Sequence, residues 1–85
     1  MSEGYHEPIE KLSVATIEMH RAISSLMEEL EAVDWYNQRV DCCQDDELKE
    51  ILIHNRDEEK EHAAMLIEYL RENDAVFNKM FDEHD

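Results

Sequence analysis

The fold is decided by the stretch SSLMEELEAVDWYNQRVDCCQDDELKEILIHNRDEEKEHAAML, residues 24–66. It contains neither glycine nor proline, and its apolar residues recur at steps of three and four, which predicts helix rather than strand. Turn formers cluster at Asp41 and at residues 44–46, where Asp45 or Asp46 can cap a following helix. Because a short loop makes two consecutive helices antiparallel, the stretch predicts a helical hairpin.

Both helices extend beyond this stretch. Ser13 can cap the first helix, since serine is a preferred N-cap residue, and no helix breaker follows until about residue 44. The second helix is expected to run to about Glu72, where Asn73-Asp74 forms a stop and a new cap. Residues 75–83 can then form a short third helix. The sequence therefore predicts an all-α fold.

The composition limits how such a chain can be stable. Residues 1–12 hold the single glycine and the single proline, so we expect an irregular arm before one helical domain, residues 13–85.

Two helices share one contact face, and chains this small need disulfides, a metal or self-association to be stable. A disulfide between the adjacent Cys42 and Cys43 would be strained, so we expect reduced thiols and a cytoplasmic setting. That leaves a metal, self-association or both.

The charge excludes several classes of partner. Asp and Glu total 23 and Lys and Arg total 8, which gives a formal net charge of −15. Nucleic acids and anionic membrane surfaces bind basic faces, so neither is expected as a partner. No apolar run is long enough to span a bilayer, and residues 1–12 do not resemble a secretory signal. The charge is compatible with attracting cations.

Each helix of the hairpin carries an apolar stripe that is polar in the middle. The first stripe contains Met19, Ala22, Leu26, Glu29, Val33, Tyr36, Val40 and Cys43, and the second contains Leu48, Leu52, Asn55, Glu59, His62, Leu66 and Tyr69. An unpaired carboxylate in an apolar interface is unfavourable, so Glu29, Glu59 and His62 require a salt bridge, raised carboxylate pKa values or a metal. Arg56 and Lys60 follow stripe residues directly and point about 100° away, so neither is expected to neutralise this cluster.

The spacing of the three polar residues fits a metal site. Glu59-Lys60-Glu61-His62 is a Glu-x-x-His motif, which places the carboxylate and the imidazole one turn apart on one helix face. Glu29 and Glu59 each lie about 15 residues from the turn, so the hairpin brings them level. In di-metal carboxylate bundles, two helices each give one Glu and two others each give Glu-x-x-His. One hairpin therefore carries half of such a set, and dimerisation would complete the set and a four-helix bundle. A hydrogen-bonded polar layer is the alternative.

Two segments of the chain also carry a family resemblance. SLMEELEAVDWYNQRVD (25–41) and HNRDEEKEHAAML (54–66) resemble the encapsulated ferritins, which are short ferritin-like proteins carried as cargo in encapsulin nanocompartments. The similarity runs from about Gly4 to about Phe81. It implies an antiparallel two-helix hairpin with a short C-terminal helix, and an annular decamer of five dimers. It further implies a di-iron ferroxidase centre at a dimer interface, with two irons per dimer.

The resemblance also implies which residues form the sites. The implied ligands of the ferroxidase centre are Glu29, Glu59 and His62. An outer site, through which metal enters, falls on Glu28 and Glu31 near Trp35, with calcium or another divalent cation as a further candidate ligand. Tyr36 matches a tyrosine that lies near the ferroxidase centre in the family.

The function that the resemblance implies is oxidation of Fe(II) by O2, feeding iron storage inside a cytoplasmic encapsulin nanocompartment. Family members usually carry a C-terminal extension with a shell-docking peptide, which FDEHD (81–85) does not resemble, so the encapsulin partner rests on the family alone. Two other functions stay open. One is a rubrerythrin-like di-iron peroxidase, although Cys42 and Cys43 cannot form the rubredoxin-type cysteine site that such proteins normally add. The other is a non-catalytic helical adaptor with a structural metal or a polar layer.

Overall fold

The computed structural model describes residues 4–85, whose regular structure is entirely helical. A turn of 3₁₀ helix, Ile9–Lys11, precedes α1 (Val14–Cys42), α2 (Asp46–Asn73) and α3 (Ala75–His84). The predicted all-α hairpin with a short third helix is confirmed. No helix in the described part of the chain is both long enough and apolar enough to cross a membrane.

The N-terminal arm is more regular than the sequence suggested. Pro8 has a φ of −57°, which suits a helical turn, and its carbonyl oxygen accepts a 3.0 Å hydrogen bond from the N–H of Lys11. The fixed φ of proline explains why a 3₁₀ turn forms at this position. Met1, Ser2 and Glu3, which the predicted irregular arm includes, lie outside the described residues.

A side-chain oxygen caps each α-helix at its N-terminus. The caps are Ser13 for α1, Asp45 for α2 and Asp74 for α3, and they accept hydrogen bonds of 3.0–3.3 Å from N–H groups of the first turn. Those N–H groups have no partner within the helix, so the caps determine where each helix begins. Ser13 and Asp74 are the caps that the sequence predicted. Of the two candidates at the hairpin turn, Asp45 is the one used.

The hairpin buries one narrow face between α1 and α2. Its least exposed residues are Ala22, Ala63 and Leu70, with exposed fractions of 7 %, 5 % and 4 %. Every member of the first stripe is buried or half-buried. The contact face that the sequence predicted for α1 is therefore confirmed.

The contact face of α2 is rotated relative to the second stripe, so that prediction was wrong in part. The buried residues Ala63 and Leu70 each follow a stripe member, His62 and Tyr69, that the structure leaves exposed. The apolar side of α2 is broader than the area that one neighbouring helix can cover. Small Ala63 lies at the centre of the contact, where it allows close approach, and His62 lies at its edge.

A single chain leaves a large area of surface in water. Its accessible surface is 6561 Å² for a mass of 10.1 kDa, whereas a compact monomer of that mass exposes about 5,300 Å². The excess of about 1,300 Å² is larger than the roughly 800 Å² that each partner contributes to a standard interface. Exposed apolar side chains form part of this surface, among them Leu30, Ile51 and Met65 at 52 %, 52 % and 64 %. The exposed apolar surface is therefore large enough to form an interface of standard size.

Candidate metal centre

Three residues that the sequence singled out meet between the two long helices. Glu29 projects from α1, and Glu59 and His62 project from α2, and one possible ligand atom from each lies within 4.8 Å of the others. His62 Nδ1 is 3.5 Å from Glu29 Oε2 and 3.7 Å from Glu59 Oε1. The chain therefore gathers two carboxylates and one imidazole at a single point.

The register of the hairpin explains why these residues meet. Glu29 lies 13 positions before the last residue of α1, and Glu59 lies 13 positions after the first residue of α2. At about 1.5 Å per residue, both lie roughly 20 Å from the turn, and so at the same height. His62 lies one helical turn beyond Glu59 and shares its side of α2.

The electrostatic surroundings of Glu29 disfavour its ionised form. The pKa of Glu29 is raised above its ordinary value of 4.5, chiefly because Glu59 hydrogen-bonds to it, and further because burial and the charge of Glu59 disfavour its ionised form. His62 acts in the opposite direction but does not reverse the shift. Two carboxyl groups this close retain a proton more readily than either alone. A cation that binds here therefore competes with protons for the Glu29 carboxylate.

One atom of the cluster lacks a hydrogen-bond partner. Glu29 Oε2 is buried and accepts no hydrogen bond, although His62 Nδ1 lies 3.5 Å away. The side chains of Glu29 and Glu59 are 24 % and 25 % exposed, and that of His62 is 46 % exposed. Leaving a buried acceptor unsatisfied is unfavourable. A cation or a hydrogen-bond donor, which the described residues do not supply, would therefore stabilise this oxygen.

The donor atoms suit a divalent transition metal. Carboxylate oxygen and imidazole nitrogen are ligands that iron and its neighbours accept. Atoms that each lie about 2.1 Å from one ion are about 3.0–3.5 Å apart in octahedral or tetrahedral coordination. The separations of 3.5 and 3.7 Å from His62 Nδ1 are close to that range. The three residues therefore fit a bound cation with small side-chain adjustments.

The nearest basic side chains are engaged elsewhere. Arg56 is half-buried because the contact face of α2 is rotated towards it, yet its Nε lies 3.2 Å from Asp57 and its Nη1 donates to Asn37 Oδ1 at 3.3 Å. Lys60 Nζ is 3.8 Å from the same Asp57 carboxylate. Within residues 4–85, neither base forms an ion pair with Glu59, so the prediction that they leave the cluster unneutralised is confirmed.

The residues predicted for the outer site lie apart from this cluster. Glu28 and Glu31 are exposed, and Trp35 is 50 % exposed. Their positions, at steps of three and four along α1, place all three on one face of the helix. Neither glutamate joins the group of possible metal ligands found among the described residues. Their role in metal uptake stays a prediction.

Two contacts between the cluster and the hairpin turn were missed by the sequence reasoning. The guanidinium of Arg39 lies over the ring of Tyr36, 5.3 Å from its centroid, and Arg56 bridges the hairpin to Asn37. The i,i+3 spacing of Tyr36 and Arg39 is a signal that could have indicated the first contact. The second joins residues 19 positions apart and has no local signal.

Comparison with known proteins places the chain among its relatives. Residues 4–84 match the family model described as EncFtn-like. The chain belongs to the EncFtn-like family. This family member is 66 % identical over 74 residues to a Rhodospirillum rubrum protein named "Encapsulated ferritin-like protein". It is 53 % identical over 73 residues to a Thermotoga maritima protein named "Ferritin-like protein".

These matches cover most of this chain but a smaller share of each relative. They cover 87 % and 86 % of this EncFtn-like chain, but 53 % of the Rhodospirillum protein and 64 % of the Thermotoga protein. The chain therefore spans between half and two thirds of the length of these curated relatives. The resemblance that the two segments of sequence indicated is confirmed.

A solved structure supports the fold of this EncFtn-like chain. The crystal structure of protein ne0167 from Nitrosomonas europaea is 63 % identical in sequence and superposes with a TM-score of 0.91. The superposition covers 95 % of this chain and 89 % of that one. A protein with closely related sequence therefore adopts the same arrangement of helices.

Proposed function

We propose that this chain is a ferroxidase, which oxidises Fe(II) to Fe(III) with O2 at a di-iron centre shared by two copies. One observation carries the proposal: each chain holds Glu29, Glu59 and His62 within 4.8 Å of one another, which is half of a di-metal ligand set. Membership of a ferritin-like family supports iron as the metal. The unsatisfied Glu29 Oε2 supports occupation by a cation.

The need for two copies follows from counting ligands and charges. Three protein ligands leave much of an iron coordination sphere empty, whereas two chains would supply four carboxylates and two imidazoles for two ions. Four carboxylate charges would balance the four positive charges of two Fe(II), so the assembled centre is electrostatically compensated. His62 is 46 % exposed at the edge of the hairpin contact, where a second chain can approach it.

The reaction transfers one electron from each substrate Fe(II). Two Fe(II), O2 and two protons would give two Fe(III) and hydrogen peroxide, a balance that needs no further reductant. Glu29 and Glu59 would hold both ions in a position to react together, and Fe(II) would compete with protons for the Glu29 carboxylate. His62 would bind through Nδ1, the ring nitrogen that already faces both carboxylates.

The remaining parts of the proposal concern uptake and assembly. Glu28, Glu31 and Trp35 would form an outer site that attracts Fe(II), with calcium or another divalent cation as a competing ligand. The assembly would be an annular decamer of five dimers. An annulus encloses no cavity, so iron storage would require a surrounding encapsulin shell in the cytoplasm. The name of the Rhodospirillum relative supports such a shell.

The proposal is tested by adding Fe(II) to the metal-free protein and following O2 consumption and ferric absorbance together. The expected result is about one O2 consumed per two Fe(II) during the first turnover. A peroxidase would oxidise iron faster with hydrogen peroxide than with O2. An adaptor would neither consume O2 nor produce a ferric absorbance. Either outcome would contradict the ferroxidase proposal. Glu59→Ala should abolish the reaction, while Glu61→Ala, an exposed control on the same helix, should retain it.

A further inference from the structure

The contact face of α2 contains one largely buried charge. Arg56, Ala63 and Leu70 are spaced seven residues apart, so they lie in one row along the helix. Ala63 and Leu70 are buried, and the side chain of Arg56 is only 23 % exposed. Withdrawing a charged group from water is unfavourable, and an apolar side chain of similar size would suit such a row better. Packing alone therefore does not explain an arginine at this position.

Arg56 forms a polar bridge across the hairpin. Its Nη1 donates to Asn37 Oδ1 on α1 at 3.3 Å, and its Nε pairs with Asp57 on its own helix at 3.2 Å. A guanidinium holds its donors in one rigid plane, so the two contacts together restrict where the side chain can lie. The bridge therefore joins α2 to α1 at a defined point, about one helical turn from Glu59.

The bridge lies where the hairpin packs least tightly. Residues 30–58 connect the two halves of the metal cluster through the turn, and their least exposed side chains are only half-buried. The fully buried residues Ala22, Ala63 and Leu70 all lie on the other side of the cluster, away from the turn. Tight apolar packing therefore holds α2 on one side of the cluster, and the Arg56 bridge holds it on the other.

Rotation of α2 about its own axis decides which of its residues face α1. The apolar side of α2 is broader than its contact with α1, so apolar packing does not select a single rotation. One residue corresponds to about 100°, and a rotation of that size would bring His62 into the contact in place of Ala63. A directional hydrogen bond does select one rotation, as a single polar residue does when it fixes the register of a coiled coil.

We propose that Arg56 is a positioning residue for the metal centre, acting through its bridge to Asn37. The bridge fixes the rotation of α2, and this rotation brings Glu59 to Glu29 and leaves His62 at the edge of the contact. The inference rests on the proposed function, because it takes these three residues as metal ligands. Arg56 itself acts only through the position of the helix.

The charge of Arg56 and its position have opposite effects on a bound cation. Through its field alone, a guanidinium one turn from Glu59 disfavours a cation at the cluster. The raised pKa of Glu29 has its causes in Glu59, burial and His62, and Arg56 is not among them. Removing Arg56 should therefore strengthen cation binding if its charge decides, and weaken cation binding if its position decides.

The test is anaerobic titration of the metal-free, full-length protein with Co(II) at fixed protein concentration, followed by visible absorbance. Arg56→Met removes the charge and the bridge but keeps an unbranched side chain that can pack in the row. The matched control is Lys60→Met, which makes the same chemical change beside Glu59. Lys60 Nζ lies 3.8 Å from Asp57, so that ion pair stays within α2. Asn37→Ala removes the acceptor of the bridge without changing the charge.

The bridge predicts different results for these variants. Arg56→Met should bind Co(II) about tenfold more weakly than wild type, at the lower end of the range for residues that hydrogen-bond metal ligands directly. Asn37→Ala should bind about fivefold more weakly, and Lys60→Met should stay within about twofold. The double variant of Arg56 and Asn37 should be no weaker than Arg56→Met, because both changes break one bridge. Metal-free Arg56→Met should unfold at the wild-type temperature or above, since an apolar residue suits the row.

Several results would overturn the inference. Equal or tighter Co(II) binding in Arg56→Met would show that charge decides, and an equal loss in Lys60→Met would show that the bridge is not responsible. If Arg56→Met is less stable than wild type, Asn37→Ala decides alone, because Asn37 is exposed and alanine favours helix. Weaker binding in Asn37→Ala then supports the bridge, and unchanged binding refutes it. A wild type that binds Co(II) but consumes no O2 with Fe(II) contradicts the proposed function alone.

Discussion

Glu28 and Glu29 are neighbours in the sequence but lie in different surroundings. Glu29 is half-buried between the helices, beside Glu59 and His62, with a raised pKa and an oxygen that accepts no hydrogen bond. Glu28 is exposed on another face of α1. One step along a helix turns the side chain by about 100°, which is enough to separate a ligand from a surface charge. In a chain this acidic, position around the helix, rather than charge, distinguishes the candidate centre.

The largest effect is expected when the same substitution is made at these two neighbours. Glu29→Ala should lower the rate of paired iron oxidation by about 100-fold or more, because it removes a ligand from each half of the proposed centre. Glu28→Ala should change that rate by no more than about twofold, because an exposed carboxylate acts only through a screened field. Stopped-flow absorbance at saturating O2 measures both. Similar losses in the two variants would contradict the separation of the two surroundings.

A smaller effect is expected on the stability of the metal-free protein. Because the pKa of Glu29 is raised above 4.5, the folded chain binds this proton more tightly than the unfolded chain. The resulting stabilisation is fully present below pH 4.5 and is lost as the pH rises through the raised pKa. In the Glu29→Gln variant this side chain cannot ionise, so the free energy of unfolding at pH 7 should rise by about 0.5–1 kcal/mol. The gain is modest because the site is partly open to solvent.

Urea unfolding at pH 4.5 and pH 7, with a chelator present and the protein concentration fixed, measures that effect. The difference in stability between the two pH values should shrink in Glu29→Gln. Glu28→Gln makes the same chemical change on the exposed face and should leave the difference as it is in wild type. An equal change in both variants would show that the effect comes from net charge rather than from the buried cluster.

The smallest effect is expected at the outer site. If Glu28 and Glu31 attract Fe(II) on its way in, the double variant Glu28→Ala with Glu31→Ala should slow oxidation about twofold at low salt. The difference should shrink at high salt, because exposed carboxylates act through a screened field. Iron occupancy at Glu29, Glu59 and His62 should not change. An unchanged rate would make the pair a solvated surface, and an empty centre would make the pair true ligands.

Features fixed by local chemistry could be predicted from the sequence. The caps Ser13 and Asp74 follow from residue type, and the antiparallel hairpin follows from the cluster of turn formers at residues 44–46 between two long helical patterns. The level positions of Glu29 and Glu59 follow from equal distances to the turn. The contact face of α1 was also predictable, because its apolar residues recur at steps of three and four on both sides of Glu29.

Features set by the neighbouring helix could not be predicted in the same way. The apolar side of α2 is broader than its contact with α1, so the pattern does not distinguish the buried Ala63 from the exposed His62. The ion pair between Arg71 and Asp82 depends on the direction that the chain takes at Asp74, which local sequence patterns do not specify.

The most direct test of the shared centre is anaerobic Fe(II) titration followed by native mass spectrometry. If two copies complete one di-iron centre, iron should saturate at one per chain and appear in pairs in dimers and larger even-numbered assemblies. Iron-bound monomers should be absent, since one chain supplies only Glu29, Glu59 and His62. A folded monomer that carries its own iron and oxidises it on admission of O2 would contradict the account.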